Sequence, residues 1–215
     1  MTLHPTLPDA AGFILAGGRS SRMGQDKALI PLANRPLIAH TLAILSEAGI
    51  PASIAGGSPS LAAFASLVPD QNPGQGPLSG ICAALSSTTA EFSIFLTVDA
   101  PFIPASLLTL LLNYARLTAL SIVIPSLNGQ PQTFPAVIHR TALPALQSEL
   151  VATRLRCSSA FQSAACALAQ PLAILSVESL VQCGQLAHPA AQPPFRWFLN
   201  LNRPDDLCHA RSAIA

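Results

Sequence analysis

The sequence predicts an α/β protein in three layers (α/β/α), with a mostly parallel (mixed) sheet between two layers of helices. Short apolar runs alternate with stretches of helical periodicity over the first 125 residues, as in right-handed βαβ units. The runs are almost continuously apolar, which is typical of strands buried on both faces. With 215 residues, of which 50% are hydrophobic and 10% charged, the chain can bury a large core. We therefore expect a single domain over residues 1–215.

Each strand is predicted from an apolar run that stops at a turn-forming residue, and each helix from a period near 3.6. The predicted strands are Gly12–Leu15, Ala52–Ala55, Phe92–Val98 and Ser121–Ile124. The predicted helices are Pro36–Ala48, which Gly49 ends, Leu78–Ser87 and Ala105–Arg116, which has Pro104 near its first turn. For residues 130–191 we predict later strands, one or two covering helices near 158–169, and a proline-rich connection at 190–194.

Composition and charge exclude several classes of protein. Disordered chains combine low hydrophobicity with high charge, the opposite of this composition. A net charge of +1 provides no long-range field for nucleic acid or an anionic membrane. The first twelve residues lack the pattern of a signal peptide, and residues 106–125 are too polar to span a bilayer. We predict a soluble, cytoplasmic protein that binds neither nucleic acid nor membrane.

The five cysteines indicate neither a disulfide framework nor a zinc site. Their number is odd, and no Cys-x-x-Cys pair occurs. The prediction is therefore buried or incidental thiols in a reducing compartment.

The densest group of chemically active residues follows the first strand. This strand ends in Leu15-Ala16-Gly17-Gly18, where two glycines allow a positive-φ turn whose amides can bind an anion. Arg19, Arg22 and Lys27 then place three of the eleven basic residues within nine positions. This arrangement predicts a triphosphate site, although a Walker A sequence is absent. The alternative is a simple glycine turn with solvated cations.

Asp99 stands in an equivalent place after the strand Phe92–Val98. Because ligands of parallel sheets bind beyond the carboxyl ends of the strands, we expect Asp99 to lie near the glycine turn. A second glycine group, Gly74-x-Gly76-x-x-x-Gly80, is closer to a dinucleotide fingerprint, but no strand is predicted before it. A nicotinamide site is therefore disfavoured.

Four segments in order resemble the motifs of one enzyme group. They are Leu15-Ala-Gly-Gly-x-Ser-x-Arg-Met-Gly-x-Asp-Lys27, Asp70 followed by Gly76-Pro-Leu-Ser-Gly80, Asp99-Ala-Pro-Phe-Ile-Pro104, and Phe198-Leu-Asn-Leu-Asn-Arg-Pro-Asp-Asp-Leu207. Together they resemble nucleotidyltransferases with a glycosyltransferase-A-like, Rossmann-like fold, and within these the molybdenum cofactor guanylyltransferases. The sequence departs from that pattern in Thr97-Val98, in Gly56-Gly57, in Phe134-Pro135, and in residues 150–190, which lack an expected arginine-containing helix.

This resemblance implies a Mg²⁺-dependent transfer of GMP from GTP to the phosphate of molybdopterin, which yields the guanine dinucleotide cofactor and pyrophosphate. It implies a nucleotide-binding half over about 10–125 and an acceptor-binding half over about 126–215. Transient contact with molybdenum-insertion proteins or molybdoenzymes is a further expectation. The implied catalytic residues are Arg22, Lys27 and Asp99, and Asp99 would also hold the metal. Asn202 would lie near the phosphates, the metal or the acceptor. The implied nucleotide-binding residues are Leu15, Ala16, Gly17, Gly18, Lys27, Asp70, Gly80 and Asp99.

Alternatives stay open at this stage. Asp99 could cap a helix before Pro101, and Asn202 could cap a last helix that starts near Pro204. A CTP-dependent molybdopterin cytidylyltransferase, or another small-molecule nucleotidyltransferase, would have a similar loop. A non-catalytic nucleotide-binding protein is the third interpretation.

Overall fold

The computed structural model describes residues 10–17, 26–201 and 206 of the chain. Within these residues, an eight-stranded sheet lies between helices, and a small hairpin accompanies it. The strands are β1 (Ala10–Leu15), β2 (Pro31–Leu32), β3 (Arg35–Pro36), β4 (Ala52–Ala55), β5 (Ser66–Val68), β6 (Phe92–Thr97), β7 (Ile122–Leu127), β8 (Gln130–Pro131), β9 (Ala136–His139) and β10 (Ala173–Ser176). The helices are α1 (Leu37–Glu47), α2 (Pro77–Ser87), α3 (Ala105–Thr118), α4 (Leu143–Val151), α5 (Cys157–Ala167), α6 (Val177–Gln182) and α7 (Pro194–Trp197).

The main sheet is parallel except at β8 and β9, which run antiparallel to their neighbours. Its order is β10-β7-β9-β6-β1-β4-β5, and β8 pairs with β7 at its end. β9 runs antiparallel between β6 and β7, and β2 pairs with β3 in the separate hairpin. β1 lies between β4 and β6, so that Leu15 is paired with both Ala55 and Thr97. The end of β1 therefore lies beside the ends of its two parallel neighbours.

Two apolar clusters fill the two faces of this sheet. Ile14 of β1 packs with α1 and α3, whereas Phe13 and Leu15 face α2, α4 and α5. This alternation follows from the two-residue period of a strand, and both sets are buried because helices cover both faces. The predicted three-layer, mostly parallel (mixed) α/β/α fold is confirmed.

The predicted strands and helices of the first 125 residues are all present, with ends shifted by at most three residues. Helix α5 occupies the region where a covering helix was expected. Helix α4 lies outside the predicted covering helices near 158–169. In the structure Pro144 stands in the first turn, where its missing N–H costs no hydrogen bond.

The four cysteines among the described residues are free thiols, as predicted. Cys82 and Cys157 are buried, and burial raises the pKa of the first to about 11 and of the second to about 12. Cys166 and Cys183 are exposed. In the described part of the chain, every helix is too short or too polar to cross a membrane.

Candidate functional site

The candidate site lies at the carboxyl edge of the parallel strands, on either side of the end of β1. Two openings meet this edge. One lies over the ends of β4 and β5, and we call it the glycine cleft. The other lies beside the end of β6, and we call it the Asp99 cavity. The position agrees with the general rule that ligands of open α/β sheets bind beyond the carboxyl ends.

The glycine cleft has a volume of about 720 Å³. It is lined by Gly17, Gly56, Gly57, Pro59, Leu67, Val68, Pro69, Asp70, Pro73, Gly74 and Gly76. Gly56 has a φ of +73°, and a Cβ there would lie 3.3 Å from the Cα of Gly17. A Cβ on Gly57 would lie 2.6 Å from Leu61 Cδ1. Glycine is needed at both positions, and the wall they form exposes backbone to the cleft.

The backbone at Gly17 does not itself adopt a positive φ. Gly17 lies outside the left-handed region, and a Cβ there would be 3.9 Å from Gly56 Cα, an ordinary contact. Ala16 still donates its N–H to Ala55 O at 3.1 Å, so bonding to β4 continues past Leu15. Because Gly18 lies outside the described residues, the positive-φ turn that the two glycines allow stays a prediction.

Asp70 brings a fixed carboxylate to the other side of the glycine cleft. Its Oδ1 accepts hydrogen bonds from the Ser79 hydroxyl and, at 3.0 Å, from the Asn72 amide. Ser79 is buried in the first turn of α2, a helix that begins at Pro77 after Gly76. A carboxylate held in this way can accept further hydrogen bonds from a ligand with little reorganisation.

Lys27 and Asp99, which are 72 residues apart in sequence, form an ion pair. The distance from Lys27 Nζ to Asp99 Oδ2 is 2.8 Å, and the two side chains are 20% and 22% exposed. Asp99 follows β6, and α3 begins only at Ala105 with Pro104 as its N-cap. The alternative interpretation of Asp99 as a helix N-cap is therefore wrong. The pair lies half-buried, within reach of a ligand.

The Asp99 cavity, of about 270 Å³, is lined mainly by oxygen-bearing and aromatic side chains. Thr97, Gln132, Thr133 and Asn200 supply the polar groups, and Phe134 and Phe198 supply rings. The last described segment closes this cavity, since Leu201 donates its N–H to the Asp99 carbonyl at 3.0 Å. The segment that resembled a closing motif therefore does reach Asp99.

The donor set around Asp99 suits a hard divalent cation that is shared with a ligand. Among the described residues, no group of three His, Cys, Asp or Glu side chains could hold a metal alone. Mg²⁺ is usually bound by one or two carboxylates and completes its octahedron with phosphate oxygens and water. A single accessible carboxylate beside a polar cavity fits that pattern.

The fold brings together six of the residues that the sequence singled out and buries a seventh. Leu15, Ala16, Gly17, Lys27, Asp70 and Asp99 all lie at the carboxyl edge, although the Leu15 side chain is in the core. Gly80 is buried in α2, where a Cβ would lie 3.3 Å from Leu15 Cδ2. Gly80 thus permits close helix–sheet packing, and its contact with nucleotide stays a prediction. Gly18, Arg22 and Asn202 lie outside the described residues.

Sequence reasoning missed several residues that line the site. Gln132 and Thr133 stand in a segment that carries no motif, and Pro59 is the first residue of a short 3-10 turn. Asn200 could have been found, because it is the first asparagine of the Asn-x-Asn segment. The resemblance implies a role in the site only for Asn202 of that segment.

Comparison with known proteins agrees with this geometry. The family model described as MobA-like NTP transferase domain matches residues 12–166. A molybdenum cofactor guanylyltransferase from Rhodobacter capsulatus is 31% identical over 210 residues, 95% of this chain and 96% of that protein. A protein of the same name from Xanthomonas euvesicatoria is 44% identical over 102 residues, which span 47% of this chain and 52% of that protein.

Among solved structures, molybdopterin-guanine dinucleotide biosynthesis protein A from Archaeoglobus fulgidus superimposes with a TM-score of 0.76. It is 20% identical, and the match covers 95% of this chain and 98% of that chain. This structure supports the fold, while the family model and the full-length relative carry the assignment. The chain belongs to the family of MobA-like NTP transferase domains.

Proposed function

We propose that this protein transfers GMP from GTP to the terminal phosphate of molybdopterin and releases pyrophosphate. The observation that carries the proposal is the Lys27–Asp99 pair, which lies beside a polar cavity at the same sheet edge as the glycine cleft. The names of the full-length relatives support the choice of substrates.

The glycine cleft is the proposed nucleotide site. Leu67, Val68 and Pro69 give it an apolar surface against which a planar base can lie, and the glycine backbone adjoins this surface, since Gly56 donates its N–H to Val68 O at 2.9 Å. The Asp70 carboxylate faces this space and can accept hydrogen bonds from the guanine N–H edge or the ribose hydroxyls.

The transfer itself needs charge neutralisation more than proton transfer. An oxygen of the acceptor phosphate attacks the α-phosphorus of GTP, and the bond from that phosphorus to the bridging oxygen of pyrophosphate breaks. A phosphate monoester is already ionised at neutral pH, so no general base is required. Lys27 would offset repulsion between the two anions and stabilise the departing pyrophosphate. Arg22 would assist it, a role that rests on the motif alone.

The Asp99 cavity is the proposed place of the acceptor phosphate and of the divalent cation that the resemblance implies. Asp99 would hold Mg²⁺, with phosphate oxygens and water as the remaining ligands. When bound, Mg²⁺ supplies positive charge that polarises phosphate oxygens. Gln132, Thr133 and Asn200 would orient the acceptor by hydrogen bonds.

The direct test is incubation of the purified chain with molybdopterin, Mg²⁺ and GTP, CTP or ATP in turn, followed by mass spectrometry. Formation of the guanine dinucleotide and pyrophosphate, with at least about tenfold higher kcat/KM for GTP than for CTP or ATP, is expected. Equal use of CTP and GTP would favour a cytidylyltransferase. Nucleotide binding without any product would contradict the proposal.

A further inference from the structure

Asp26, the residue before Lys27, uses both carboxylate oxygens in hydrogen bonds. Oδ1 accepts the N–H of Ala28 at 3.0 Å and so caps the single 3-10 turn Lys27–Leu29. Oδ2 accepts the hydroxyl of Ser58 at 2.7 Å. The backbone that carries Lys27 is therefore fixed to a residue 32 positions further along the chain.

Ser58 donates its hydroxyl to Asp26 and does not form the N-cap hydrogen bond that its position favours. It is the N-cap of the 3-10 turn Pro59–Ala63, where serine typically accepts a backbone N–H of its own turn. No such side-chain bond is formed. Because the single hydroxyl proton of Ser58 goes to Asp26, Ser60 must donate to Ser58 Oγ, which lies 2.6 Å away.

The bond joins the two halves of the candidate site. Ser58 lies in the loop whose Gly56, Gly57 and Pro59 form one wall of the glycine cleft. Asp26 lies next to the lysine that is paired with Asp99 at the other opening. Among the described residues, this side-chain hydrogen bond links the Lys27 turn to the loop that forms one wall of the glycine cleft, and the buried Ala28 packs the same turn against the core.

We propose that Asp26 and Ser58 are positioning residues for guanylyl transfer. Their hydrogen bond fixes the position of Lys27 relative to the wall of the glycine cleft, so that the Lys27 ammonium lies close to the phosphates of the bound nucleotide. This inference rests on the proposed function. A lysine side chain loses much rotamer freedom when it is held in one place, and a preorganised charge stabilises a transition state more than one that must be reoriented. The pair therefore acts on turnover through Lys27.

The experiment compares Ser58→Ala with the wild type at saturating molybdopterin. Loss of a hydrogen bond to a carboxylate should lower kcat about tenfold and change the KM for GTP by less than about threefold. Ser58→Thr keeps the hydroxyl and should restore most of the activity. Ser148→Ala is the matched control, since it removes an exposed hydroxyl bonded to Pro144 O at 3.0 Å, outside the residues that line either opening.

A double-mutant cycle separates positioning from a general structural effect. In a Lys27→Ala background, measured at raised enzyme concentration, Ser58→Ala should lower kcat by less than about twofold, because nothing is left to position. The same tenfold loss in both backgrounds would overturn the proposal. So would an Ser58→Ala enzyme that behaves like Ser148→Ala.

Folding is monitored through the fluorescence of Trp197, the single tryptophan of the chain. If Ser58→Ala does not fold, Asp26→Ser replaces it, because a serine hydroxyl can still cap the turn but leaves no second oxygen to accept the Ser58 hydroxyl. The same kinetic pattern is then expected, and wild-type kcat in Asp26→Ser would overturn the proposal. A wild-type enzyme without guanylyl transfer refutes the proposed function; an active wild type with an unaffected Ser58→Ala refutes only this inference.

Discussion

Replacement of Lys27 by alanine should separate catalysis from folding. The substitution removes an ammonium that lies 2.8 Å from Asp99, a residue that lines the Asp99 cavity. In the proposed reaction this group faces the phosphates, where negative charge is concentrated in the transition state. In the folded protein without substrate it neutralises a carboxylate that water can also reach.

The two effects differ in size. Removal of one preorganised charged donor typically costs 10²-fold or more in kcat, on the order of 3 kcal/mol. Both side chains of the ion pair are about one-fifth exposed, so the lost stability should be about 1–2 kcal/mol, above that of a fully exposed pair and below that of a buried one. For a chain of this size, that loss corresponds to a fall in Tm of about 2–8 °C.

The assay is formation of the guanine dinucleotide by mass spectrometry, together with thermal unfolding followed by Trp197 fluorescence. Arg154→Ala is the control, because Arg154 forms an ion pair of 2.7 Å with Glu149 among residues that line neither opening. This variant should keep wild-type kcat. Retention of kcat within about threefold by Lys27→Ala would refute the reasoning, as would a loss that appears only when the variant unfolds at the assay temperature.

Three other results are expected. Asp99→Asn keeps the shape of the side chain but removes its charge, so kcat should fall at least about 10²-fold. EDTA should stop transfer by the wild type, and undiminished transfer in EDTA would exclude the role of Asp99 as a metal ligand. Gly17→Ala should fold normally, since its Cβ meets only ordinary contacts, and should shift kcat/KM from GTP toward CTP by narrowing the cleft; an unchanged ratio would place the base elsewhere. Hydrogen bonds from Arg154 lower the pKa of Glu149, so this pair stabilises the fold above the usual Glu pKa and ceases to do so as the pH falls through the lowered value. Arg154→Ala should therefore lower Tm more at pH ~7 than at a pH well below the usual Glu pKa, and an equal difference at both pH values would contradict this assignment.

The sequence by itself determined the features that depend on neighbouring residues. Buried strands such as β1 and β6 are recognisable because an apolar run is too short for a helix and stops at a glycine or a charge. The ends of α1 and α3 follow from proline at the start and from the loss of periodicity at the end. The position of Asp99 at a strand end, and hence at the ligand edge, follows from the rule for parallel sheets.

The sequence was less informative where one local pattern has two structural solutions. The short apolar run Ala136–His139 would look the same in a parallel or an antiparallel strand. Only its pairing with β6 and β7 in the folded chain shows that it is antiparallel. Pro144 marks a break or a first helical turn equally well. Bonding to β4 continues past the end of β1 at Ala16, which no local sequence pattern predicts.

Only the tertiary structure decided which distant side chains meet. Lys27 pairs with Asp99 across 72 residues, Ser58 bonds to Asp26 across 32, and Leu201 closes onto Asp99. Such contacts depend on the order of the strands and on the direction in which each side chain points. Both are fixed because the chain must bury the apolar side chains of both faces of the sheet under helices. A sequence states which groups are available; packing around the common sheet determines which of them share one edge.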